Sequence, residues 1–512
     1  MVNIGILAAI LLPVIGGALI PVLPFQKRNH QLIYIECLVI LTSGIVWALL
    51  LNGTTSAFHV VRFVHNLSIS FKIDGMTMVF AGLIATLWPL ATLYAFEYME
   101  HEKREKYFFM FFTITYGVTL GIAFASDLLT MYFFYELLTL STLPLVMHTL
   151  TKEAIHASRK YLYYSLGGAA FALIGIIFII VYGNVYEFVY GGVMTGVDMG
   201  NKEWLQLPIY FLSFMGFGVK AAIWPLSSWL PKAGVAPTPV TALLHAVAVV
   251  NAGAFGMIRL TYYSFGTEVI KGTWAQYAVM ALAMFTILYG CTRAVKESHI
   301  KRRLAYSTVS NLSYIIFGIT MMSPAGLVGA LTHFVFHGFM KICSFLCAGA
   351  FMHQTGRKYV FEMDGMGRKM PIVFGCFAVS AVGLMGVPGF AGFISKWKLT
   401  EAAVESGLTL AYVGIGCLLI SALLTAIYML NVVIRAFFPK TDMEEKNVGI
   451  NDIEHIDNSE DISCSKSIIC NVTDPTWKMC LPLILCAVMI SLFGLFSTPL
   501  ITFFETVAYG NL

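Results

Sequence analysis

Three lysines of this sequence lie deep within long apolar stretches, namely Lys220, Lys341 and Lys396. A charged side chain at the centre of a bilayer costs at least about 2.5 kcal/mol, so such residues usually mark a path for ions or protons. A structural ion pair is the alternative role for each lysine. The depth of these charges predicts that the chain moves ions across a membrane.

Glu136 lies in MYFFYELLTLSTLPLV, where no other acidic residue follows Asp127 at the edge of the stretch. A buried carboxylate takes up a proton unless a cation is near, and Lys220 is the natural partner. At about 4 Å and an effective dielectric constant of about 20, the pair attracts by roughly 4 kcal/mol, and doubling the distance halves this attraction. A modest helix movement would thus change the proton affinity of Lys220 by about 2 kcal/mol, close to the roughly 2.3 kcal/mol that moves one charge against 100 mV.

Two histidines precede Lys341 at intervals of four residues, in LTHFVFHGFMKICSFLCAG. This spacing places His333, His337 and Lys341 along one stripe of a helix. Three cations there would repel, so at least one histidine should be neutral, as a proton relay requires. His245, in TALLHAVAVVNAG, is alone on its helix, and relay and structural roles are equally open for it.

Cofactor binding is the competing use of these side chains. A b-type haem needs axial ligands that converge from opposite sides, whereas His333 and His337 share one face. The ten cysteines include no CxxC pair, which argues against an iron–sulfur or zinc site. We therefore predict no cofactor and no metal.

The elements that must position these residues are transmembrane helices. Of the whole chain, 58% is hydrophobic and only 12% charged, against about 25% charged in soluble domains. Fourteen apolar stretches are long enough to cross a hydrocarbon core of roughly 30 Å. They cover residues 4–24, 31–51, 75–99, 107–125, 127–148, 161–182, 205–235, 238–261, 273–295, 302–322, 325–353, 371–404, 408–438 and 477–503. The fold class is an all-α polytopic membrane protein of about fourteen helices.

Prolines interrupt the seventh and twelfth spans. Pro225 and Pro231 follow Lys220, and Pro388 lies between glycines ahead of Lys396. Proline removes a helical donor, and unwound backbone is tolerated in a membrane only where protein or a wet cavity surrounds it. The two breaks occupy similar places in two successive groups of five spans, which predicts two inverted five-helix repeats.

The predicted domains follow from these repeats. They are 1–106 with helices one to three, 107–261 as the first repeat, 262–438 as the second repeat, 439–476 as an acidic cytoplasmic loop, and 477–512 with the last helix. Lysine and arginine concentrate in the loops after odd-numbered spans, so the positive-inside rule places both termini on the outer face. The acidic loop is expected to be mobile, with a docking surface for a partner as the second interpretation.

With these motifs assembled, the chain resembles the antiporter-like subunit family shared by complex I, multi-subunit Na+/H+ antiporters and membrane-bound hydrogenases. The resemblance covers at least residues 74–438. It rests on Asp127 with Glu136, on the Lys220 stretch through LPKAGVAPTPVTALLHA, on KRRLAYSTVSNLSYI, on the stripe from His333 to Lys341, and on GVPGFAGFISKW with Lys396.

The resemblance implies that Glu136 and Lys220 form the coupling pair. It also implies that the remaining site residues continue a polar axis toward Lys396 as the exit-side carrier; they are His245, His333, His337 and Lys341. The eighth helix of relatives often carries a lysine where this chain has Asn251, so that position cannot carry the proton here. Either His245 with ordered water bridges the gap, or Lys341 takes the central role.

The predicted function is that of an H+- or Na+-translocating subunit with no catalytic centre of its own. Its predicted partners are homologous membrane subunits and a redox or antiporter module, within the lipid bilayer of a prokaryotic plasma membrane and without nucleic acid. The alternatives are a stand-alone secondary antiporter, a membrane redox subunit, or a passive scaffold. Purification in mild detergent without partner subunits would identify a stand-alone antiporter. A haem or quinone spectrum would identify a redox subunit, and a scaffold would tolerate neutralisation of the buried charges.

Overall fold

The computed structural model describes residues 2–63, 67–183, 185–439 and 472–511, and it is helical over most of that length. Most of the predicted acidic loop, residues 440–471, lies outside the described residues. The helices of the first half are α1 Val2–Leu19, α2 Arg28–Leu51, α3 Gly75–Tyr98, α4 Glu105–Phe124, α5 Leu128–Val146, α6 Lys152–Tyr182, α7 Gln206–Lys220, α8 Leu230–Ala233, α9 Thr238–Ala246 and α10 Val249–Ile258. Those of the second half are α11 Thr267–Ile270, α12 Trp274–Lys296, α13 Ile300–Thr320, α14 Pro324–Thr355, α15 Met366–Lys369, α16 Pro371–Met385, α17 Ala391–Glu405, α18 Thr409–Phe437, α19 Trp477–Leu495 and α20 Thr498–Ala508.

Within the described chain, eleven helices are long and apolar enough to cross a membrane, when 238–265 is taken as one. The other predicted spans correspond to α7 with α8, to α13, and to α16 with α17. The predicted all-α polytopic class is confirmed, and the arrangement is consistent with fourteen spans. A small antiparallel hairpin, β1 Phe58–Arg62 and β2 Ser68–Phe71, is an addition that the all-α prediction lacked.

Polar side chains cap the N-termini of several helices by accepting hydrogen bonds from backbone amides that have no partner within the helix. Asp74 accepts from the Thr77 amide at the start of α3, and Asp127 accepts from the Thr130 amide at 2.7 Å at the start of α5. Ser323 does the same for Gly326 ahead of α14. These caps fix where each span begins in the sequence.

Both predicted breaks are present. The helix α7 ends at Lys220 and α8 begins only at Leu230, while α16 ends at Met385 and α17 begins at Ala391. In the second break Gly386 and Gly389 adopt positive φ angles of 87° and 91°, which glycine takes without a steric penalty.

The eighth span differs from its prediction as a continuous helix over 238–261. It is interrupted after Ala246, resumes at Val249, and continues as a π-helix over Arg259–Phe265. No proline or glycine marks the gap at Val247 and Ala248, which explains why the sequence pattern missed it. The structure therefore contains a third interrupted span, and the predicted repeat boundary at residue 261 falls inside the π-helix.

The helix α14 is the centre of the second half, packing against α9, α16, α17 and α19. Every residue from Gly326 to Phe351 is buried. A helix that is buried on all sides can carry polar groups only where other helices satisfy them. The His333 to Lys341 stripe therefore faces protein on every side.

An ion pair ties the π-helix to α3. Arg259 is fully buried and donates to both carboxylate oxygens of Asp74 at 2.7 Å, while Lys72 lies 3.5 Å from the same carboxylate. Burial alone raises the pKa of Asp74, but the Arg259 guanidinium lowers it well below its ordinary value. Arg259 lies near the end of the predicted span 238–261 and was not predicted as a buried charge, and this contact places it in the core.

Candidate functional site

The predicted Glu136 and Lys220 pair is formed across α5 and α7. Lys220 Nζ lies 3.8 Å from Glu136 Oε1, donates to the Tyr135 carbonyl, and sits 3.4 Å from the centre of the Tyr135 ring. Only 1% of the lysine side chain is exposed. Since Lys220 is the last residue of α7, its charge also meets the negative end of that helix dipole.

Close backbone packing sets the position of Lys220. A Cβ on Gly253 of α10 would lie 2.5 Å from the Ala221 amide nitrogen and 2.9 Å from the Lys220 carbonyl carbon. Only glycine allows α10 to approach the end of α7 this closely. The break after Lys220 is therefore held between α5 and α10.

Glu136 lies at the edge of the bundle, with 23% of its side chain exposed. Its neighbours on the same helical face, Phe133 and Leu140, are 50% and 58% exposed. Its Oε1 atom has no hydrogen-bond partner among the residues that the structure describes. The carboxylate thus faces inward to Lys220 and outward to the surface of the chain.

His245 occupies the last turn of α9, next to the third break. Its ring stacks on Phe345 of α14 with centroids 4.6 Å apart, and neither ring nitrogen has a hydrogen-bond partner in the described part of the chain. Asn251 spans the break by donating to the Ala246 carbonyl at 2.9 Å. Asn251 therefore satisfies a carbonyl that the interruption leaves free.

The stripe on α14 is arranged as predicted. The His333 and His337 rings have centroids 5.9 Å apart, and His333 Nδ1 lies 2.9 Å from Ser395 Oγ of α17. Neither nitrogen of His337 has a hydrogen-bond partner within the described residues. Lys341 Nζ donates to Ser307 Oγ of α13 at 2.5 Å, so the lysine is linked to α13.

Lys396 lies on α17, and its side chain extends back across the break to the end of α16. Its Nζ donates to the carbonyls of Leu384 and Met385 at 2.8 Å each, at the end of α16. These carbonyls lack helical partners, and a cation there compensates the helix dipole. Lys396 and Lys220 therefore both place an ammonium group at the C-terminal end of the first half of a broken span.

Lys301 lies one residue before the predicted span 302–322 and was not among the predicted site residues. Lys301 is 4% exposed and donates to the Ala236 carbonyl at 2.6 Å, in the segment ahead of α9. The signal that could have found it is its place at the start of KRRLAYSTVSNLSYI, which continues into a long apolar stretch. The helix α13 begins at Ile300 and so includes Lys301. Across residues 2–63, 67–183, 185–439 and 472–511, no three His, Cys, Asp or Glu side chains are placed to hold a metal ion.

Long apolar helices, interrupted spans and buried charges beside the interruptions together define a multi-pass membrane protein of the transporter type. Residues 125–425 match the family model described as NADH:quinone oxidoreductase/Mrp antiporter, transmembrane, and residues 63–109 match that of the N-terminus of chain 5 of NADH-ubiquinone oxidoreductase (complex I). The chain belongs to the NADH:quinone oxidoreductase/Mrp antiporter family. The predicted resemblance is confirmed, as is the predicted class of antiporter-like membrane protein.

Individual relatives are similar over most of the chain. NAD(P)H-quinone oxidoreductase chain 4 2 of Trichodesmium erythraeum is 28% identical over 84% of this chain and 77% of its own length. NADH-quinone oxidoreductase subunit N of Desulforudis audaxviator is 29% identical over 78% of this chain and 79% of that protein. One component of the Na(+)/H(+) antiporter of Alkalihalophilus pseudofirmus is 27% identical over 77% of this chain but only 51% of its own length.

Two solved structures share the fold. A chain of the Mrp complex from a Dietzia species superposes with a TM-score of 0.81 and 21% identity, over 98% of this chain and 96% of that one. A chain of an archaeal membrane-bound sulfane sulfur reductase gives 0.79 and 21%, over 99% and 97%. At this identity the match establishes the architecture alone.

Proposed function

We propose that this chain moves H+, with Na+ as the other candidate ion, as one membrane subunit of a multi-subunit complex driven by a redox reaction or an ion gradient. The observation that carries the proposal is the Glu136 and Lys220 pair, 3.8 Å apart at the end of a broken helix. A change in this distance alters how firmly Lys220 holds its proton. Glu136 and Lys220 are the coupling element of the proposal.

The remaining axis continues from this pair through His245, His337 and His333 with Lys341, and ends at Lys396. The His337 and His333 rings have centroids 5.9 Å apart, and Lys341 lies one turn further along the same helix. A neutral imidazole both accepts and donates a proton, which suits a relay. The nitrogens of His245 and His337 have no hydrogen-bond partner among the described residues, and this supports a relay that uses water, because buried polar groups rarely stay unsatisfied.

A neighbouring membrane subunit covers the Glu136 face in this proposal. An ionised carboxylate that faces lipid is costly, and the exposed apolar side chains beside Glu136 offer a surface for another protein. The matched chains from the Mrp complex and the sulfane sulfur reductase are parts of assemblies, which supports the same conclusion. The driving module would reach Lys220 through this face.

Two inverted five-helix repeats, 107–261 and 262–438, form the transport unit of the proposal. The similar placement of the Lys220 and Lys396 ammonium groups at half-helix ends supports this division, although the two lysines stand at different positions relative to their breaks. Both termini lie on the outer face of a prokaryotic plasma membrane in this orientation, as the distribution of lysine and arginine favours.

The test replaces Lys220 by alanine in the intact complex, reconstituted in proteoliposomes. Coupled pumping should be abolished while the electron transfer of a redox partner continues in part, and Lys232→Ala, an exposed lysine beyond the same break, should pump normally. Normal ion uptake per turnover in Lys220→Ala would remove this lysine from the mechanism. Exchange by the chain purified without partners would identify a stand-alone antiporter instead.

A further inference from the structure

Seven buried hydroxyl and thiol side chains of α12, α13 and α18 lie close to one another, and the axis described above uses none of them. Each is at most 1% exposed. They are Cys291, Ser307, Ser310, Tyr314, Ser421, Thr425 and Tyr428. Serine, threonine and tyrosine hydroxyls both donate and accept hydrogen bonds, so a connected set can pass protons in either direction. A thiol does so more weakly.

The first part of the set begins at Lys341. Its Nζ donates to Ser307 Oγ at 2.5 Å, and Ser307 Oγ lies 2.6 Å from the Tyr428 hydroxyl. Tyr428 in turn donates to Thr425 Oγ1 at 3.2 Å. The proton-carrying amine of Lys341 is therefore connected by hydrogen bonds to α18.

Cys291 joins this part to the second. Its sulfur lies 3.7 Å from Thr425 Oγ1, 2.8 Å from Ser421 Oγ and 3.0 Å from Ser310 Oγ. The Tyr314 hydroxyl donates to Ser421 Oγ at 2.8 Å. The connected set therefore extends from Lys341 to Tyr314 without leaving hydrogen-bond range.

Tyr314 brings the set to Lys396. The Lys396 ammonium lies 5.5 Å from the centre of the Tyr314 ring, and the same ring contacts His333 edge-on at 5.1 Å. The histidines offer no equivalent connection, because His337 has no hydrogen-bond partner within the described chain.

We propose that these hydroxyls and the Cys291 thiol carry protons from Lys341 toward Lys396, as a route beside the histidine stripe. The inference rests on the proposed function. In each step a hydroxyl or thiol accepts a proton on a lone pair and releases its own proton to the next member, so every member ends neutral. Lys341 loses its proton and ends as a neutral amine. Lys396 starts as a neutral amine, changes rotamer toward the Tyr314 hydroxyl, and ends protonated.

The test is Tyr428→Phe, which removes one oxygen and keeps the ring. In proteoliposomes of the intact complex, proton translocation should fall about tenfold or more, with unchanged recovery of the complex and an altered solvent isotope effect. The matched control is Tyr210→Phe, which loses a buried hydroxyl bonded to Thr261 at 3.0 Å and should pump normally.

Two further variants make the outcome unambiguous. Normal pumping by Tyr428→Phe, with Lys341→Ala inactive, would overturn the hydroxyl route and leave the proposed function intact. Normal pumping by Lys341→Ala would overturn the route as well, because the route starts at that lysine, whereas normal pumping by Lys220→Ala would count against the proposed function. Should Tyr428→Phe fail to assemble, Cys291→Ala and Cys291→Ser decide. The route is supported if Cys291→Ala pumps more slowly than the native chain and Cys291→Ser restores the rate. Equal pumping rates for both variants and the native chain would overturn it.

Discussion

Changing the length and charge of Glu136 tests how the attraction between this carboxylate and Lys220 powers transport. At the observed 3.8 Å and an effective dielectric constant of about 20, the attraction is about 4 kcal/mol, and doubling the distance releases about 2 kcal/mol. Glu136→Asp withdraws the carboxylate by about 1.5 Å. The same movement, which adds 3.8 Å to the distance, then releases only about 1.3 kcal/mol.

This difference has a measurable consequence, because moving one charge against 100 mV costs about 2.3 kcal/mol. The opposing membrane potential at which pumping stops should be lower by about a third to two fifths in Glu136→Asp. Glu136→Gln, which has no charge to exert the attraction, should not pump against a potential. The assay follows proton uptake in proteoliposomes of the intact complex while a potassium gradient sets the potential.

Refutation of this reasoning has a plain form. Equal stopping potentials for the native chain, Glu136→Asp and Glu136→Gln would show that the attraction does not drive transport. Lys220→Ala is the reference variant, because it removes the pair by removing the lysine instead of the carboxylate. If the pair acts as a unit, Glu136→Gln combined with Lys220→Ala should be no worse than Lys220→Ala alone.

Three further outcomes are expected. Arg259→Ala leaves the Asp74 carboxylate buried without its main partner and should destabilise the protein by about 3–5 kcal/mol, seen as a lower melting temperature in detergent; a melting temperature equal to that of the native chain would contradict the buried pair. Gly253→Ala forces α10 away from the end of α7 and should cost about 1–3 kcal/mol together with slower pumping, whereas Gly167→Ala, where the added Cβ meets open space, should do neither. Lys396→Met leaves two carbonyls at the end of α16 without their donor and should block release while preserving assembly, which co-purification and a proton-uptake assay would check.

Charges and prolines within apolar stretches were sufficient to predict the outline of the molecule. A lysine in a membrane span costs energy wherever the chain goes, so Lys220, Lys341 and Lys396 stood out before any contact was known. Proline breaks a helix through its own ring and missing amide, which located the breaks near Pro225 and Pro388. The four-residue spacing from His333 to Lys341 follows from helical geometry alone.

Apart from the pair of Glu136 and Lys220, contacts between distant parts of the chain escaped prediction. The break after Ala246 carries no proline or glycine, and its free carbonyl is satisfied by Asn251 and approached closely by Gly338 of α14. The buried pair of Arg259 with Asp74 was not foreseen because the two residues lie 185 positions apart in the chain. Local propensity contains no information about such pairs.

The sequence by itself therefore determined the fold class and the types and spacing of the buried charges, because each of these is a local cost or a periodic pattern, and its motifs indicated the family by resemblance. The tertiary structure decided that Glu136 lies beside Lys220, that Lys396 reaches back to the end of α16, and that hydroxyl and thiol groups from three helices meet between Lys341 and Lys396. These arrangements depend on how helices far apart in the chain pack together, and packing is a property of the folded bundle as a whole.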